Sequence, residues 1–485
     1  MKYKPEIDGL RAIAIIPVVL FHAGITLFSG GFVGVDIFFV ISGYLITNII
    51  ISDLKKGDFS FSKFYERRAR RIFPALFLVM TAALPFAWFW LLPEDLKNFS
   101  RSLYFISVFS SNILFWRTSG YFDGDAELKP FLHTWSLGVE EQYYLLFPAL
   151  MLLLWRIQKR LIGPAIALLL ILSLFFANSK VTDNPMSAFY FLPYRAWELL
   201  MGAFIATYDS SETKTKISLP GNQALSLIGA GLIFFSIFFL DKTTPYPSAY
   251  TLLPVVGASL LVLFSKPETL TYKLLANKLF VAVGLISYSA YLWHQPVFAF
   301  AKHRMGSEIE TTTLLCLVGL VFCLAYLSWK YVERPFRSKE TVKTRSFVTA
   351  SIFGILLFIG IGSAGDVKDG FPTRFQYEER YIGDIGQAPF YAYAKQHLPV
   401  YLQQISHETG LKFTQCSIRQ PKTRWGSCSA KHEIMLNSAL VLFPEAITRY
   451  VCVHELAHTQ YFDHSARFWA EVAKYDAAFQ QHQRT

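Results

Sequence analysis

Apolar residues in this chain come in long blocks, not in the alternating or every-third-residue pattern of a half-buried surface. Blocks of spanning length fall near 10–28, 33–51, 73–92, 137–155, 162–178, 190–208, 223–240, 249–265, 280–301, 310–331 and 346–363. A helix needs roughly 20 apolar residues to cross a bilayer. The pattern therefore predicts a polytopic α-helical membrane protein with ten to eleven transmembrane helices. The run 99–116 is also apolar, but a crossing there would put Arg156 and Arg160 on the wrong side for the positive-inside rule. It is read as re-entrant or interfacial. After about 364 the pattern changes. Residues 365–390, with Gly365, Gly370, Pro372, Gly383, Gly386 and Pro389, read as a linker. The remainder reads as a small α+β domain: an amphipathic helix at Tyr391–Thr409, short strands at 413–419 and 433–437 around a Gly-Ser turn, and helices near 444–461 and 464–481. The expected parts are thus a membrane domain over 1–345, an extra spanning helix at 346–363, a linker at 364–390 and a C-terminal domain over 391–485.

Composition agrees. The 485 residues are 53% hydrophobic, with a mean hydropathy of +0.33, which excludes an ordinary soluble protein. The net charge of +11 does not point to nucleic acid, because much of the excess lies between apolar blocks. Lys55, Lys56, Lys63, Arg67, Arg68, Arg70 and Arg71 make the most basic loop, which is expected to be cytoplasmic. The N-terminus then lies on the same side, and eleven crossings put the C-terminal domain outside. Arg11 interrupts the first block and no small-residue cleavage site follows, so this block is not read as a cleavable signal peptide. Cys416, Cys428 and Cys452, an odd set, give the C-terminal part no disulfide framework.

Ionisable residues inside the apolar blocks change the picture further, since a charge at bilayer depth costs a few kcal/mol. Arg11 and His22 are three helical turns apart, so they share one side, roughly 16 Å apart, and Asp8 is placed to pair with Arg11. The plain alternative has Arg11 snorkelling to one interface and His22 lying at the other. Asp36 sits in Gly34-Val35-Asp36-Ile37-Phe38-Phe39, Glu140 and Glu141 in Ser136-Leu137-Gly138-Val139-Glu140-Glu141-Gln142, and His294 in Tyr291-Leu292-Trp293-His294-Gln295-Pro296.

Together with Arg68/Arg71 and Glu333-Arg334-Pro335, these blocks resemble the acyltransferase-3 family of bacterial inner-membrane O-acyltransferases over roughly residues 3–375. The resemblance extends to Gly370-Phe371-Pro372-Thr373-Arg374. It implies transfer of an acyl group, commonly acetyl from acetyl-CoA, to a hydroxyl of a cell-envelope polysaccharide or lipid-linked glycan. Such a reaction needs a base for the hydroxyl proton, and imidazole titrates in the right range; His22 is the first choice. Arg68 and Arg71 suit the phosphates of acyl-CoA, and Arg11 suits a developing oxyanion or the thioester. Asp36, Glu140, Glu141 and His294 are further candidates for this site.

The C-terminal part carries His454-Glu455-Leu456-Ala457-His458 in an apolar helix. Histidines four apart on one helix face can bind one zinc, with the intervening glutamate as general base. His464 follows where that helix should end and is placed to complete the site. With Arg424-Trp425-Gly426-Ser427-Cys428-Ser429, Leu436-Asn437 and Asp463-His464-Ser465, this part resembles the YgjP-like metallopeptidase family over about 388–485. The resemblance implies a zincin-like fold, His454, His458 and His464 as zinc ligands and Glu455 as the catalytic acid.

The sequence is thus read as a multi-pass bacterial plasma-membrane O-acyltransferase. Its expected partners are acyl-CoA, an envelope glycan and the bilayer, and a zinc-dependent peptidase-like domain is fused to it. Two other readings are a membrane-anchored metalloprotease with N-terminal tethering helices, and a polytopic transporter. A mere tether needs no Arg11, His22 and Asp36 within the bilayer, and a transporter would not depend on acyl-CoA.

Overall fold

Long apolar runs satisfy their own backbone hydrogen bonds as helices, and helices dominate the computed structural model. It describes residues 3–118, 126–210, 217–241, 243–305, 309–372, 374, 387–419, 425–443, 445–476 and 479, with the backbone alone at 126, 387–393 and 442. The chain folds as two compact units, Met1–Phe371 and Pro372–Thr485.

The first unit contains α1 (Pro5–His22), α2 (Gly34–Lys56), α3 (Phe61–Trp90), α4 (Pro93–Ser107), α5 (Ser111–Thr118) and α6 (Thr134–Ile157). These are followed by α7 (Ile162–Asp183), α8 (Pro185–Tyr190), α9 (Leu192–Asp209), α10 (Leu219–Phe239) and α11 (Leu252–Phe264). The remaining helices are α12 (Leu270–Leu275), α13 (Lys278–Leu285), α14 (Ser287–Met305), α15 (Thr311–Ser328), α16 (Arg334–Arg337) and α17 (Thr344–Val367). Among the described residues, seven helical stretches are long and apolar enough to cross a membrane: Gly31–Lys56, Phe61–Trp90, Thr134–Ile157, Lys159–Asp183, Leu219–Phe239, Thr311–Arg337 and Thr344–Val367.

The other four expected spans are helical but fall short of that measure for identifiable reasons. α1 carries Glu6, Asp8 and Arg11, and α9 carries Arg195, Glu198 and Asp209. The helical stretch at 249–264 is short, and the expected span at 280–301 breaks between α13 and α14 at Ile286. The run 99–116 is divided between α4 and α5 at Phe109, whose φ is 53°. The expected basic loop differs most. Lys63 and Arg67–Arg71 lie in the first turns of α3, because arginine, glutamate and alanine extend a helix readily.

α2 is central: two-thirds of its most apolar window is buried, against 17% for the peripheral stretch Thr311–Arg337. Its packing against α9 needs glycine twice. A β-carbon at Gly43 would fall 1.9 Å from the Leu199 carbonyl, and one at Gly202 would fall 2.0 Å from the Val40 carbonyl. Small residues of this kind let apolar helices approach closely. The outward faces leave Phe89, Phe175, Phe239 and Phe353 exposed, which suits contact with lipid.

The helix expected at 346–363 continues to Val367, so helix replaces the start of the expected linker. Thr373, Gly383 and Gly386 of that segment, and Arg424, lie outside the described residues.

In the second unit α18 (Gln387–Thr409) precedes a sheet of β1 (Gln415–Arg419), β2 (Gly426–Cys428) and β3 (Glu433–Asn437), followed by α19 (Glu445–Ala457) and α20 (Ala466–Tyr475). The strand order is β1-β3-β2. β1 pairs parallel to β3, with Gln415 opposite Glu433, and β2 pairs antiparallel to it, with Gly426 opposite Leu436. The sequence pattern places only a turn at β2, because Gly-Ser-Cys has no strand period of its own. Leu398, Leu402 and Ile405 pack with Ile434, Leu436, Val453, Leu456 and Phe468 to form the core.

Candidate functional site

Arg67, Arg68, Arg70 and Arg71 sort themselves by helical phase. Arg67 pairs with Asp53 at 2.7 Å, and Arg70 pairs with Glu66 at 2.9 Å and donates to the Phe336 carbonyl at 3.0 Å. Arg68 and Arg71, three residues apart and on a shared face, instead line a cavity of about 90 Å³. Arg11, Ser42, Ser136, Glu140, Tyr144, Tyr288 and Tyr291 complete much of its wall. Arg11 is held by Asp8 at 2.9 Å, Arg68 lies over the Tyr144 ring at 5.3 Å, and Ser42 donates to Glu140. Arg337 is within electrostatic reach of Arg11 and Arg71. It pairs with buried Glu333 at 2.6 Å, and Glu333 accepts from Ser289 of α14. Glu141 does not line this cavity, and its buried Oε1 has no hydrogen-bond partner among the described residues.

His22 is not part of that wall either. It ends α1 with its ring 5.1 Å from that of His294, which in turn lies 5.1 Å from His133. Both His133 nitrogens and His294 Nε2 are buried without a hydrogen-bond partner among the described residues, whereas His294 Nδ1 lies 2.6 Å from the Tyr291 carbonyl. Tyr291 joins the cluster to the cavity. Its ring packs on His133 and His294 at 5.3 and 5.2 Å, and its hydroxyl lies 2.6 Å from Ser136 Oγ and donates to the His133 carbonyl. Arg11 and His22 therefore both face α14, in adjoining compartments. The sequence offered a signal for His133, a histidine at the edge of an apolar block, but no pattern assigned it to this cluster.

Asp36 belongs to a third group. It accepts from Arg195 at 2.5 Å and from the Tyr246 hydroxyl, while Arg195 pairs with Glu198 at 2.7 Å. All three ionisable side chains are buried. Arg195 and Glu198 were missed because their block reads as an ordinary span with two charges. Phe39 and Trp135 flank the Arg195 guanidinium at 5.4 and 5.3 Å, and Phe39 also lines the arginine cavity.

In the second unit, one ligand nitrogen each from His454, His458 and His464 fit within 4.8 Å of one another. The Nε2 atoms of His454 and His464 are 3.2 Å apart, close to the roughly 3.3 Å edge of a tetrahedral zinc site with 2.0–2.1 Å bonds. His458 Nδ1 lies 3.0 Å from the Tyr461 carbonyl, an arrangement that leaves Nε2 for a metal. Burial, then the neighbouring histidines, push His454 down to about 3, and burial lowers His458. The neutral form that binds metal is thereby favoured. These residues fit zinc. The two cysteines that could compete do not join them: Cys452 is fully buried in the core, and burial raises the Cys428 thiol to about 11. Glu455 is buried under β2, where a β-carbon on Gly426 would fall 2.6 Å from its carboxylate.

A family model described as an acyltransferase domain matches residues 4–330, more than half of the chain. The chain belongs to this acyltransferase family. A second model, the YgjP-like metallopeptidase domain, matches residues 370–485. Among curated proteins, the acyltransferase chain is 31% identical over 349 residues to the peptidoglycan O-acetyltransferase OatA of Listeria monocytogenes, covering 69% of this chain and 56% of that protein. It is 30% identical over 378 residues to the O-acetyltransferase OatA of Staphylococcus aureus, covering 74% and 62%. It is 29% identical over 417 residues to the putative peptidoglycan O-acetyltransferase YrhL of Bacillus subtilis, covering 78% and 65%. The acyltransferase chain thus spans roughly three-fifths of the length of these relatives. No solved structure matches it.

Proposed function

We propose that the first unit is a membrane O-acyltransferase that moves an acyl group, most simply acetyl, from acyl-CoA to a hydroxyl of a cell-envelope polysaccharide. The observation that carries this reading is the pairing of an arginine-lined cavity with an adjoining histidine cluster. Arg68 and Arg71 bind the phosphates of the donor, Arg11 neutralises charge developing on the carbonyl oxygen, and His22 takes the hydroxyl proton. Relatives named as peptidoglycan O-acetyltransferases support a glycan acceptor. In this reading the protein lies in the bacterial plasma membrane with its basic ends cytoplasmic. The test is acetyl transfer by purified protein in nanodiscs. His22→Ala is expected to lose at least a hundredfold in rate with donor affinity kept, and Arg68→Ala with Arg71→Ala to weaken donor affinity at least tenfold. Near-normal transfer by well-folded His22→Ala would remove His22 as the base, and consumption-free transport of a solute would favour the transporter reading.

The second unit is proposed to be a zinc-dependent peptidase-like domain, supported by the convergence of His454, His458 and His464. Bound zinc would supply Lewis acidity for amide hydrolysis. Of this chain's own groups, the three imidazoles hold the metal and Glu455 accepts the proton of the attacking water.

A further inference from the structure

The arginine cavity has two ends, and the order of its lining residues along the helices tells them apart. Arg68 and Arg71 mark one end. Arg67, on the same turn of α3, pairs with Asp53 at 2.7 Å, so the later residues of α2 reach that end. Arg68 also lies over Tyr144, the last residue that α6 gives to the wall. The other end is formed by Val35, Phe38 and Phe39 of α2, Ser136 of α6 and Tyr291 of α14. Val35 and Leu45, the first and last residues that α2 gives to the wall, are roughly 15 Å apart along a helix axis. A volume of about 90 Å³ drawn out over that length is a slot one chain wide, with room for on the order of seven waters.

Rings close the end away from the arginines. Phe38 and Tyr291 meet edge to face with centroids 6.2 Å apart, and Phe39 meets Trp135 in the same way at 6.3 Å. This wall is held from both sides. The Tyr291 hydroxyl lies 2.6 Å from Ser136 Oγ and 2.9 Å from the His133 carbonyl. α2 is pinned on either side of Phe38: a β-carbon at Gly34 would meet the Ala14 carbonyl, and one at Gly43 would meet the Leu199 carbonyl. Extra methylenes pushed against so fixed a wall force side chains off their rotamers. Phe39 is fully buried and also flanks Arg195, whereas Phe38 is half-buried. Phe38 is therefore the ring whose size can change with less disturbance to its surroundings.

A donor whose phosphates lie at Arg68 and Arg71 points its thioester and acyl chain toward these rings. The phosphates are common to every acyl-CoA, so the arginine end cannot tell one acyl chain from another. We infer that Phe38, backed by Tyr291, sets the length of the acyl chain that the enzyme accepts. An acetyl group ends short of the Phe38 ring, and a four-carbon chain runs into it. Each methylene in an apolar pocket changes discrimination by roughly 10–200-fold, so two additional ones suffice for exclusion. The inference rests on the acyl-CoA reading above and deepens it by naming the residue that selects the acyl group.

The experiment is calorimetric titration of the full chain in nanodiscs with CoA, acetyl-CoA and butyryl-CoA. The wild-type protein is expected to bind acetyl-CoA at least tenfold more tightly than butyryl-CoA. Phe38→Ala is expected to bring the two Kd values within threefold, with Phe38→Leu between it and the wild type. Phe38→Trp, which advances the wall, is expected to weaken acetyl-CoA at least fivefold relative to CoA. The leucine and tryptophan variants keep a bulky apolar side chain, so the test stands even if Phe38→Ala does not fold. Equal affinity of the wild type for both acyl-CoAs, or a preference for acetyl that is the same in the variants, would overturn the assignment of Phe38 alone. Equal weakening of all three ligands with that preference kept would make Phe38 a structural residue and overturn it too. A wild-type protein that binds none of the three would overturn the donor site, and this inference with it.

Discussion

Gly426 shows how one missing side chain can set a site. The backbone of β2 lies so close to Glu455 that a methyl group at Gly426 would occupy the space of its carboxylate. Gly426→Ala is therefore expected to move Glu455 while leaving the three histidines in place. Zinc by elemental analysis should stay near one per chain, the melting temperature should fall by a few degrees, in keeping with an overpacking cost of about 1–3 kcal/mol, and peptide hydrolysis should drop at least tenfold. His454 sets a pH limit on the same unit. A histidine in the unfolded chain protonates near about 6.5, whereas folded His454 is pushed down to about 3 and His458 is lowered as well. Between those values the unfolded state binds more protons, so the metal-free unit is fully stable above about pH 6.5 and loses stability as the pH falls. Chemical denaturation of the chelated protein at pH 7.5 and 5 should show that loss in the C-terminal transition.

At the scale of elements, the buried group around Arg195 ties α2 to α9. Two carboxylates and one guanidinium leave an excess negative charge if all are ionised. Removing the cation leaves two acids facing each other, whereas neutralising one acid leaves a balanced pair. Arg195→Met is accordingly expected to cost several kcal/mol more than Asp36→Asn. Fluorescence-detected size exclusion after heating would read the difference, and equal stability of the two variants would contradict the charge argument. The close approach at Gly43 and Gly202 makes the same contact intolerant of bulk.

At the scale of the whole molecule, the chain is two units with separate cores, and the acyltransferase match ends before the second begins. A chain stopped after Phe371 is therefore expected to insert in membranes and bind acetyl-CoA with the affinity of the full protein, as titration in nanodiscs would report. A tenfold loss would show that the second unit supports the donor site.

Much of this organisation was legible in the sequence because it is periodic or local. Apolar blocks are helices since an unpaired backbone is too costly in lipid, and all eleven expected blocks are helical. The histidine spacing of 454 and 458 needs only one helix face, and the phase of Arg68 and Arg71 needs only three residues of α3. What is long-range was not legible. The meeting of His22, His133 and His294 depends on three separate elements coming together, and the separation of Asp36 from the arginine cavity depends on Arg195 arriving from α9. β2 forms because β3 offers it a partner, not because Gly-Ser-Cys favours a strand. The sequence by itself determined which segments are apolar, helical and charged, because those properties follow from neighbours along the chain. Only the tertiary structure decided which charges share a cavity, because that depends on contacts between residues far apart in the chain.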